Sequence, residues 1–273
     1  MPATPSAFLI LDDALEHAGD GDALTLDGDE GRHAAKVARI GVGEQILLTD
    51  AAGRQVLSQV TAARKEALEL QLLEDPSAPV QRRPLLTLVQ ALATGGRDEQ
   101  AIESATELGV DRVVPWQAER SVAVWRGEKL RKGRAKWENT VRAAVKQCRR
   151  PGIPVVEEPI GTADLVEDVH RRTANGALVL VLHEQESVGL MSLADELRAM
   201  GKRSDADQAA TDGPSAGEIV VVVGPEGGIA DGELERLREA GARSVLLGPE
   251  VLRSSTAGPA AIAVLSALIG RWG

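Results

Sequence analysis

The sequence predicts a two-domain α/β protein, in which a small antiparallel β-barrel precedes a domain built on a mainly parallel sheet. Residues 8–73 read as short alternating segments with polar turns, which are typical of barrel strands. From residue 85 onward, continuous apolar strands alternate with helical segments, which is typical of a parallel sheet with helices on both faces. We place the barrel domain at residues 1–76, a linker at 77–84 and the α/β domain at 85–273.

The barrel strands are predicted at "EQILLTD", "RQVLSQVTAA" and "ALELQLLE". They follow the stretch "DEGRHAAKVARIGVG". If this stretch is helical, four of its apolar residues are predicted to face the core: Ala34, Val37, Ala38 and Ile40. The same spacing would leave a basic set outside, and these residues are candidate phosphate contacts: Arg32, His33, Lys36 and Arg39.

The linker is indicated by three prolines in "EDPSAPVQRRP". Beyond it, strands are predicted at "LLTLVQALA", "VDRVVP", "ALVLVLHE" and "EIVVVVGP". Helices are predicted at "RDEQAIESATELG" and at "SLADELRAMG", the second capped by Ser192 and closed by Gly201. Residues 202–217, "KRSDADQAATDGPSAG", have no apolar period, and we interpret them as a mobile insertion.

Charge is distributed unevenly along the chain. The net charge is −10, yet residues 120–150 contain eleven basic and two acidic residues, whereas residues 151–250 contain eight and nineteen. A basic run is either a solvated helix face or a nucleic-acid surface. Trp125 and Trp137 lie inside this run and favour the second interpretation, because aromatic rings stack on bases.

Several classes of protein are disfavoured. Cys148 is the single cysteine, so neither an intramolecular disulfide nor a thiolate metal site is expected, and we predict no metal. The apolar run at residues 260–269 is half the length of a membrane span. The start of the chain lacks the basic and apolar regions of a signal peptide. These features predict a cytoplasmic protein that does not act at a membrane.

Two glycine turns follow predicted strands, in "VVVVGPEGGIADGELERL" and in "SVLLGPEVLRSSTA". Ligands of parallel sheets bind outside the carboxyl ends of the strands, so the two turns would line one pocket if their strands are neighbours. The alternative is two ordinary strand-to-helix turns. Neither turn matches G-x-G-x-x-G or a P-loop, which disfavours dinucleotides and nucleoside triphosphates. Asp231 is predicted to cap the helix after the first turn.

These turns resemble the signature of the SPOUT methyltransferases of the RsmE family, which methylate N3 of a uridine in 16S ribosomal RNA. The resemblance extends to "ESATELGVDRVVPWQAERS", "KQCRRPGIPVVEEP" and "HAAKVARIGVGEQILLTDAAGR", and so covers nearly the whole chain. It implies a PUA-like RNA-binding barrel, a SPOUT-type domain with a C-terminal trefoil knot, and S-adenosylmethionine (SAM) held by the knot loops. It further implies a homodimer that binds 16S rRNA or the small ribosomal subunit and does not bind DNA.

The resemblance also assigns residues. The cofactor-binding positions that it implies are Leu182, His183, Gly224, Pro225, Glu226, Gly227, Gly228, Leu247, Gly248, Leu252, Arg253 and Thr256. The RNA-binding positions that we predict are Arg32, His33, Lys36, Arg39, Arg120, Arg149 and Arg150. Arg253 is also the candidate catalytic residue, because a cation can stabilise negative charge that develops on a uracil oxygen.

The base that accepts the N3 proton is left open among His183, Glu184 and Glu226. Two positions depart from the family pattern: Glu250 stands where a basic residue is frequent, and Ser255 where an acidic one is. These departures keep open a non-catalytic RNA-binding assembly factor that retains the knot fold. A small-molecule nucleotide enzyme is a third hypothesis, but it would not need the basic segment.

Overall fold

The computed structural model describes residues 5–11, 13–80, 82–202 and 217–272. Contacts divide the chain into two units, the first with Met1–Gln81 and Val145–Ile153, the second with Arg82–Ala144 and Pro154–Gly273. The predicted mobile insertion lies outside the described residues except at its two ends. In the described part of the chain, no helix is long and apolar enough to span a membrane.

The first unit contains a five-stranded sheet in the order β1-β3-β4-β5-β2. Its neighbouring strands are antiparallel except β1 and β3, which are parallel, so the sheet departs from the fully antiparallel prediction. Alternate residues of β4 are buried, as the period of two predicts. The elements are β1 Ser6–Leu9, α1 Ala14–His17, β2 Ala23–Leu26, α2 Gly28–Arg32, β3 Gln45–Thr49, β4 Gln55–Ala63 and β5 Leu68–Leu72.

The helix α2 continues into a π-helical turn at His33–Val37, and this turn changes which side chains reach the core. Ala34 is fully buried as predicted, but Val37 is 68% exposed. A π-turn closes its hydrogen bonds over five residues, here from the Ala38 N–H to the His33 carbonyl at 2.9 Å. The extra residue per turn rotates Val37 and Ala38 to the surface, so the helical prediction was wrong at these two positions.

The second unit contains a seven-stranded sheet in the order β12-β10-β11-β6-β7-β8, in which β9 also pairs with β7. All its strand pairs are parallel, as the continuous apolar runs predict. The strands are β6 Leu85–Ala91, β7 Arg112–Gln117, β8 Val155–Val156, β9 Ile160–Gly161, β10 Leu178–Leu182, β11 Glu218–Val223 and β12 Arg243–Val245. All six residues of β11 are buried, because this strand is covered on both faces.

Helices cover both faces of the second sheet. The helices are α3 Arg97–Glu107, α4 Glu128–Cys148, α5 Thr162–Ala174, α6 Ala194–Lys202, α7 Asp231–Glu239 and α8 Ser254–Leu268. One face is packed by α3 and α8, and the other by α5, which also packs against α7. Alternate residues of β11 face the second of these layers, where Val220 and Val222 lie in one hydrophobic cluster with Leu165 of α5 and Leu237 of α7.

Three predicted helix boundaries differ from the structure. Ser192 does not cap α6, since it lies in a 3₁₀ turn, Leu190–Leu193, and its hydroxyl donates to the Gly189 carbonyl. Gly201 lies inside α6 and does not end it. A Cβ at Gly201 would lie 2.3 Å from the Ile269 carbonyl oxygen, so this glycine permits a close backbone contact beyond the end of α8. Asp231 likewise begins α7 without a side-chain cap bond; the Glu233 carboxylate accepts from the Ala230 N–H instead.

A buried ionic cluster lies where β11 begins. Arg172 of α5 donates to Glu218, the first residue of β11, at 2.5 Å and to Asp168 at 2.6 Å. Glu218 also accepts from the Thr87 hydroxyl of β6 at 2.6 Å. Burial opposes the charge on Arg172, but the neighbouring carboxylates outweigh it and raise the Arg172 pKa. The cluster therefore joins one helix to two central strands by charge-assisted hydrogen bonds.

The two tryptophans of the basic segment pack on each other. The rings of Trp125 and Trp137 meet edge to face with their centroids 5.6 Å apart, and Trp137 is fully buried. Trp125 also covers Gly133, where a Cβ would lie 2.5 Å from its ring. A buried ring cannot stack on a base, so Trp137 is a packing residue and does not favour the nucleic-acid interpretation.

Candidate cofactor site

A cavity of about 520 Å³ lies at the carboxyl ends of β10, β11 and β12. Its walls are the loops that follow these three strands, together with the beginning of α8. The two Gly-Pro-Glu turns line one pocket, as predicted. The prediction that this requires neighbouring strands was wrong, because β10 lies between β11 and β12 and contributes the third wall.

Ten of the twelve predicted cofactor-binding residues line this cavity: Leu182, His183, Gly224, Pro225, Glu226, Gly228, Leu247, Gly248, Leu252 and Arg253. Gly227 and Thr256 are not among the lining residues. Gly227 faces away, where a Cβ would lie 3.2 Å from both the Cβ and the carbonyl oxygen of Arg120. Thr256 lies in the first turn of α8, one residue before the lining residue Ala257.

Glu226 links the loop after β11 by hydrogen bonds to Thr94, between β6 and α3, and to Arg97 at the start of α3. One carboxylate oxygen accepts from the Thr94 N–H at 3.0 Å, from the Thr94 hydroxyl at 3.2 Å and from Arg97 at 2.8 Å. Burial opposes ionisation of Glu226, but hydrogen bonds from its own N–H, from Arg97 and from Thr94 outweigh it and lower the pKa below 4.5. A carboxylate so stabilised is a poor proton acceptor, so the contacts make Glu226 a structural member of the site.

Arg253 is the N-cap residue of α8, with φ −64° and ψ 151°, and is exposed at the cavity wall. Within the described residues its guanidinium has no ion-pair or hydrogen-bond partner. A purely structural role for Arg253, as the ion-pair partner of a carboxylate, is therefore not seen in this part of the chain. A cation beside a helix N-terminus makes this wall a favourable place for developing negative charge.

His183 and Glu184 follow β10 and both line the cavity. The His183 Nδ1 accepts a long bond from the Gln185 N–H, at 3.4 Å, and the His183 N–H donates to the Val245 carbonyl at 3.1 Å. The second bond fixes the His183 backbone to β12. Glu184 is exposed. Both side chains therefore stay candidates for the proton acceptor.

The two departures from the family pattern differ in position. Glu250 lines the cavity and is exposed, whereas Ser255 is buried and is not a lining residue. The neighbouring Ser254 does line the cavity, and its buried hydroxyl has no hydrogen-bond partner among the described residues. Of the two departures, only Glu250 can therefore act directly on what the cavity holds.

Sequence reasoning missed Arg97, which lines the cavity and holds Glu226. The available signal was the pair Gly95-Gly96, which follows β6 and has φ values of +67° and +76°. Only glycine adopts such angles without strain, so a double glycine after a buried strand indicates a third turn at the same end of the sheet. The sequence pattern predicts only the start of a helix there, at Arg97.

The predicted RNA-binding residues are divided between the two units of the chain. Arg32, His33, Lys36, Arg39, Arg149 and Arg150 belong to the first unit, whereas Arg120 belongs to the second. Lys36 pairs with Glu66 at 2.6 Å, and Arg32 pairs with Asp29 at 3.2 Å. The ring of His33 lies 6.1 Å from that of the core residue Phe8. The Nη1 of Arg120 lies 3.3 Å from the carbonyl oxygen of Ile229, beside the cofactor cavity.

Comparison with known proteins adds the family. Two family models match, an RNA methyltransferase domain over residues 81–266 and an RNA methyltransferase PUA domain over residues 26–73. The ribosomal RNA small subunit methyltransferase E of Mycobacterium bovis is 42% identical over 266 residues, which are 97% of this chain and 94% of the relative. The protein of the same name from Bacillus subtilis is 26% identical over 89% of each chain.

Solved structures agree with this fold. The small subunit methyltransferase E of Neisseria gonorrhoeae, bound to SAM, has a TM-score of 0.76 at 26% identity, covering 97% of this chain and 98% of its own. A putative methyltransferase of Legionella pneumophila with bound SAM has the same TM-score and coverage at 25% identity. Fold, pocket and matches together define an RNA methyltransferase with a PUA domain. The chain belongs to the ribosomal RNA small subunit methyltransferase E family, and the predicted resemblance is confirmed. The predicted SAM cofactor is likewise confirmed for this family.

Proposed function

We propose that this protein transfers the methyl group of SAM to N3 of a uridine in 16S ribosomal RNA, in the cytoplasm. The observation that carries the proposal is the cavity at the carboxyl ends of β10, β11 and β12, with its glycine turns and with Arg253 on one wall. Its volume of about 520 Å³ suits a cofactor-sized molecule. Family membership supplies the rRNA substrate class.

The lining residues fit SAM. Backbone groups at Leu182, Gly224 and Gly248 would bind the adenine edge, because glycine turns let main-chain donors and acceptors approach a ring closely. When bound, SAM supplies a methyl group on a sulfonium, from which a neutral thioether is a good leaving group. The contribution of the chain is then chiefly to orient the uracil and the cofactor for in-line transfer.

The chemistry requires that uracil N3 lose its proton. The N3–CH₃ bond forms as the S–CH₃ bond breaks, and the N3 proton passes to an acceptor on the protein or to water. Negative charge meanwhile develops on the uracil oxygens, where the guanidinium of Arg253 would stabilise it. Because Glu226 is held by Arg97 and Thr94, His183 and Glu184 remain of the three acceptors that the sequence leaves open, and Glu250 is a further carboxylate on the cavity wall.

A homodimer is part of the proposal. Two apolar side chains at the rim of the cavity, Val251 and Leu252, are 77% and 38% exposed. Exposed apolar residues beside a binding site are suited to cover by another protein surface. Val251→Asp should therefore shift the protein towards monomer in sedimentation velocity and lower methyl transfer. A wild-type protein that is a fully active monomer at working concentration would contradict this part.

The trefoil knot is proposed on the family resemblance and on one contact. Residues 188–190 lie beside the segment that leaves β12: Gly189 forms a parallel bridge with Leu246, and the Leu190 N–H donates to the Leu246 carbonyl at 2.8 Å. In a knot the later segment would pass through the loop made by the earlier one. Pulling single molecules from both ends tests this, since a knotted chain extends less than the full contour length of its 273 residues.

The non-catalytic alternative is not favoured. The glycine turns line an open cavity, and SAM-bound methyltransferases share the fold. The decisive experiment maps methylated uridines by mass spectrometry in 16S rRNA from cells with and without the gene, and after treating unmethylated small subunits with purified protein and SAM. One uridine should gain N3-methylation when wild-type protein is added and should stay unmethylated without protein, and Arg253→Gln should lower kcat by about 10²-fold. Unchanged rRNA in all samples would overturn the proposal.

A further inference from the structure

We propose that Arg120 is a positioning residue that holds the cofactor loop, residues 224–229, in its binding conformation. This inference rests on the proposed function, since it assigns that loop to SAM. The Nη1 of Arg120 lies 3.3 Å from the Ile229 carbonyl oxygen and 3.5 Å from that of Gly227. Arg120 itself is not a lining residue of the cavity, so it acts on the loop from behind.

The cofactor loop has two sides. Gly224, Pro225, Glu226, Gly228 and Ile229 line the cavity. Gly227 faces Arg120, and a Cβ at this position would lie 3.2 Å from the Arg120 Cβ and 3.2 Å from its carbonyl oxygen. A Cβ would therefore come closer than ordinary van der Waals contact, so at Gly227 the loop approaches the backbone and the stem of Arg120 with little room for a side chain.

The segment that carries Arg120 is itself anchored. The N–H of the preceding residue, Glu119, donates to the Glu233 carboxylate at 2.8 Å. Glu233 is fully buried, and it also accepts from the Thr162 hydroxyl at 2.6 Å and from the Ala230 N–H at 3.1 Å. The Arg120 segment and the end of the cofactor loop therefore share one buried acceptor, so they are joined at two points.

The chemistry suits arginine. A guanidinium presents several N–H donors in a fixed fork, so a single side chain can reach two carbonyl oxygens of one turn, whereas the ammonium of lysine is a compact point charge on a flexible stem. A loop that is already ordered loses less conformational entropy when the cofactor binds. Removal of Arg120 should therefore weaken cofactor binding more than RNA binding, in contrast to the phosphate contact that the sequence predicts for it.

The experiment compares Arg120→Gln and Arg120→Lys with a control, Arg126→Gln, which removes the same charge from an exposed arginine of the same basic segment. SAM affinity is measured by calorimetry, KM and kcat with SAM as the varied substrate, and the salt dependence of binding to a 16S rRNA fragment by fluorescence. Arg120→Gln should weaken SAM binding about tenfold and raise the KM for SAM, with Arg120→Lys intermediate. The RNA salt slope should equal that of Arg126→Gln.

A second variant tests the same contact from the loop side. Gly227→Ala should also weaken SAM binding, and the double variant Arg120→Gln/Gly227→Ala should be little worse than either single one, because both break one contact. SAM affinity within twofold of wild type in Arg120→Gln would overturn the inference, as would a lowered RNA salt slope with unchanged SAM affinity. A wild-type protein without measurable SAM affinity would instead contradict the proposed function and, with it, the inference.

Discussion

Glu226 shows how a single side chain can look catalytic in sequence and be structural in the fold. It lies in the cofactor loop and lines the cavity, but its carboxylate is occupied by Thr94 and Arg97. Its lowered pKa means that the ionised form predominates above pH 4.5. The ion pair with Arg97 therefore stabilises the loop above that pH, and this contribution is lost as the pH falls through the folded-state pKa.

Glu226→Gln is expected to weaken SAM binding about tenfold at pH 7, because the bonds from Arg97 and Thr94 lose the charge of their acceptor. The pH profile of kcat between pH 6 and pH 9 should keep the wild-type shape, since Glu226 is already ionised throughout that range. The same profile recorded for Glu184→Gln provides the comparison. If Glu226→Gln removes an inflection from the profile and Glu184→Gln does not, then Glu226 is the proton acceptor after all.

Gly228 combines a lining position with φ of +73°. A valine here should cost about 1–2 kcal/mol of backbone strain and should weaken SAM binding tenfold or more. The matched control is Gly21→Val in the first unit, where φ is +82° and nothing lies within 4 Å of an added Cβ. Calorimetry should show normal SAM affinity for the control at a similar loss of stability. Equal SAM affinities for the two variants would remove Gly228 from the site.

At the scale of elements, the last helix is fixed mainly by its own chain. Ile262 and Leu265 of α8 are fully buried, and the helix packs against α3 and the central strands. A charged residue at Leu265 would therefore unfold the domain before it could report on a dimer. For this reason the rim residue Val251 is the better probe of association.

The contact between α6 and the end of α8 gives a sharper test of packing. An alanine at Gly201 would place its Cβ 2.3 Å from the Ile269 carbonyl oxygen and 2.7 Å from its carbonyl carbon. Because backbone atoms cannot move aside cheaply, Gly201→Ala should lower the free energy of unfolding by about 1–3 kcal/mol. Gly232→Ala in α7, where an added Cβ meets nothing within 4 Å, is the control and should be neutral or stabilising. Urea unfolding measures both, and equal stabilities would contradict the close contact.

Strands and turns could be predicted from the sequence where the local pattern of apolar residues and glycines determines them. The strands β6, β10 and β11 are continuous apolar runs because both of their faces are covered, and Gly95, Gly96 and Gly228 stand where the turns need positive φ angles. The order β12-β10-β11 was not predictable, since it depends on contacts between segments distant in sequence. The exposure of Val37 was missed for a local reason, because a π-turn leaves no signature that differs from that of an α-helix. The return of Val145–Ile153 to the first unit likewise left no trace in the apolar pattern.

At the scale of the whole molecule, two arginines of the first unit carry unusual backbone angles. Arg39 and Arg149 have φ of +55° and +54°, and no other non-glycine residue in the described part of the chain has positive φ. Strain of this kind is frequent at functional sites. Both residues are exposed, and both belong to the predicted RNA-binding set.

The double variant Arg39→Gln/Arg149→Gln should weaken binding to a 16S rRNA fragment and should lower the salt slope by about 1.4, as expected for two lost phosphate contacts on single-stranded RNA. SAM affinity should not change, because both residues lie outside the unit that contains the cavity. Arg198→Gln, an exposed arginine of α6, is the charge-matched control. A salt slope equal to that of wild type would show that Arg39 and Arg149 are only solvated.

The parallel direction of the second sheet separates its two edges. The ionic cluster of Arg172 and Glu218 lies where β11 begins, and the cavity lies where the same six-residue strand ends, about 20 Å away. Arg172→Met should cost about 3–5 kcal/mol, since it removes the close guanidinium from the buried Glu218 carboxylate, which keeps the Thr87 hydroxyl and Arg112 at 3.9 Å. Combined with Glu226→Gln at the other edge, its effect on unfolding should be additive within about 0.5 kcal/mol. Heat tolerance and substrate choice could then be selected in separate libraries, one for each edge, and the improved halves joined without a further round of optimisation.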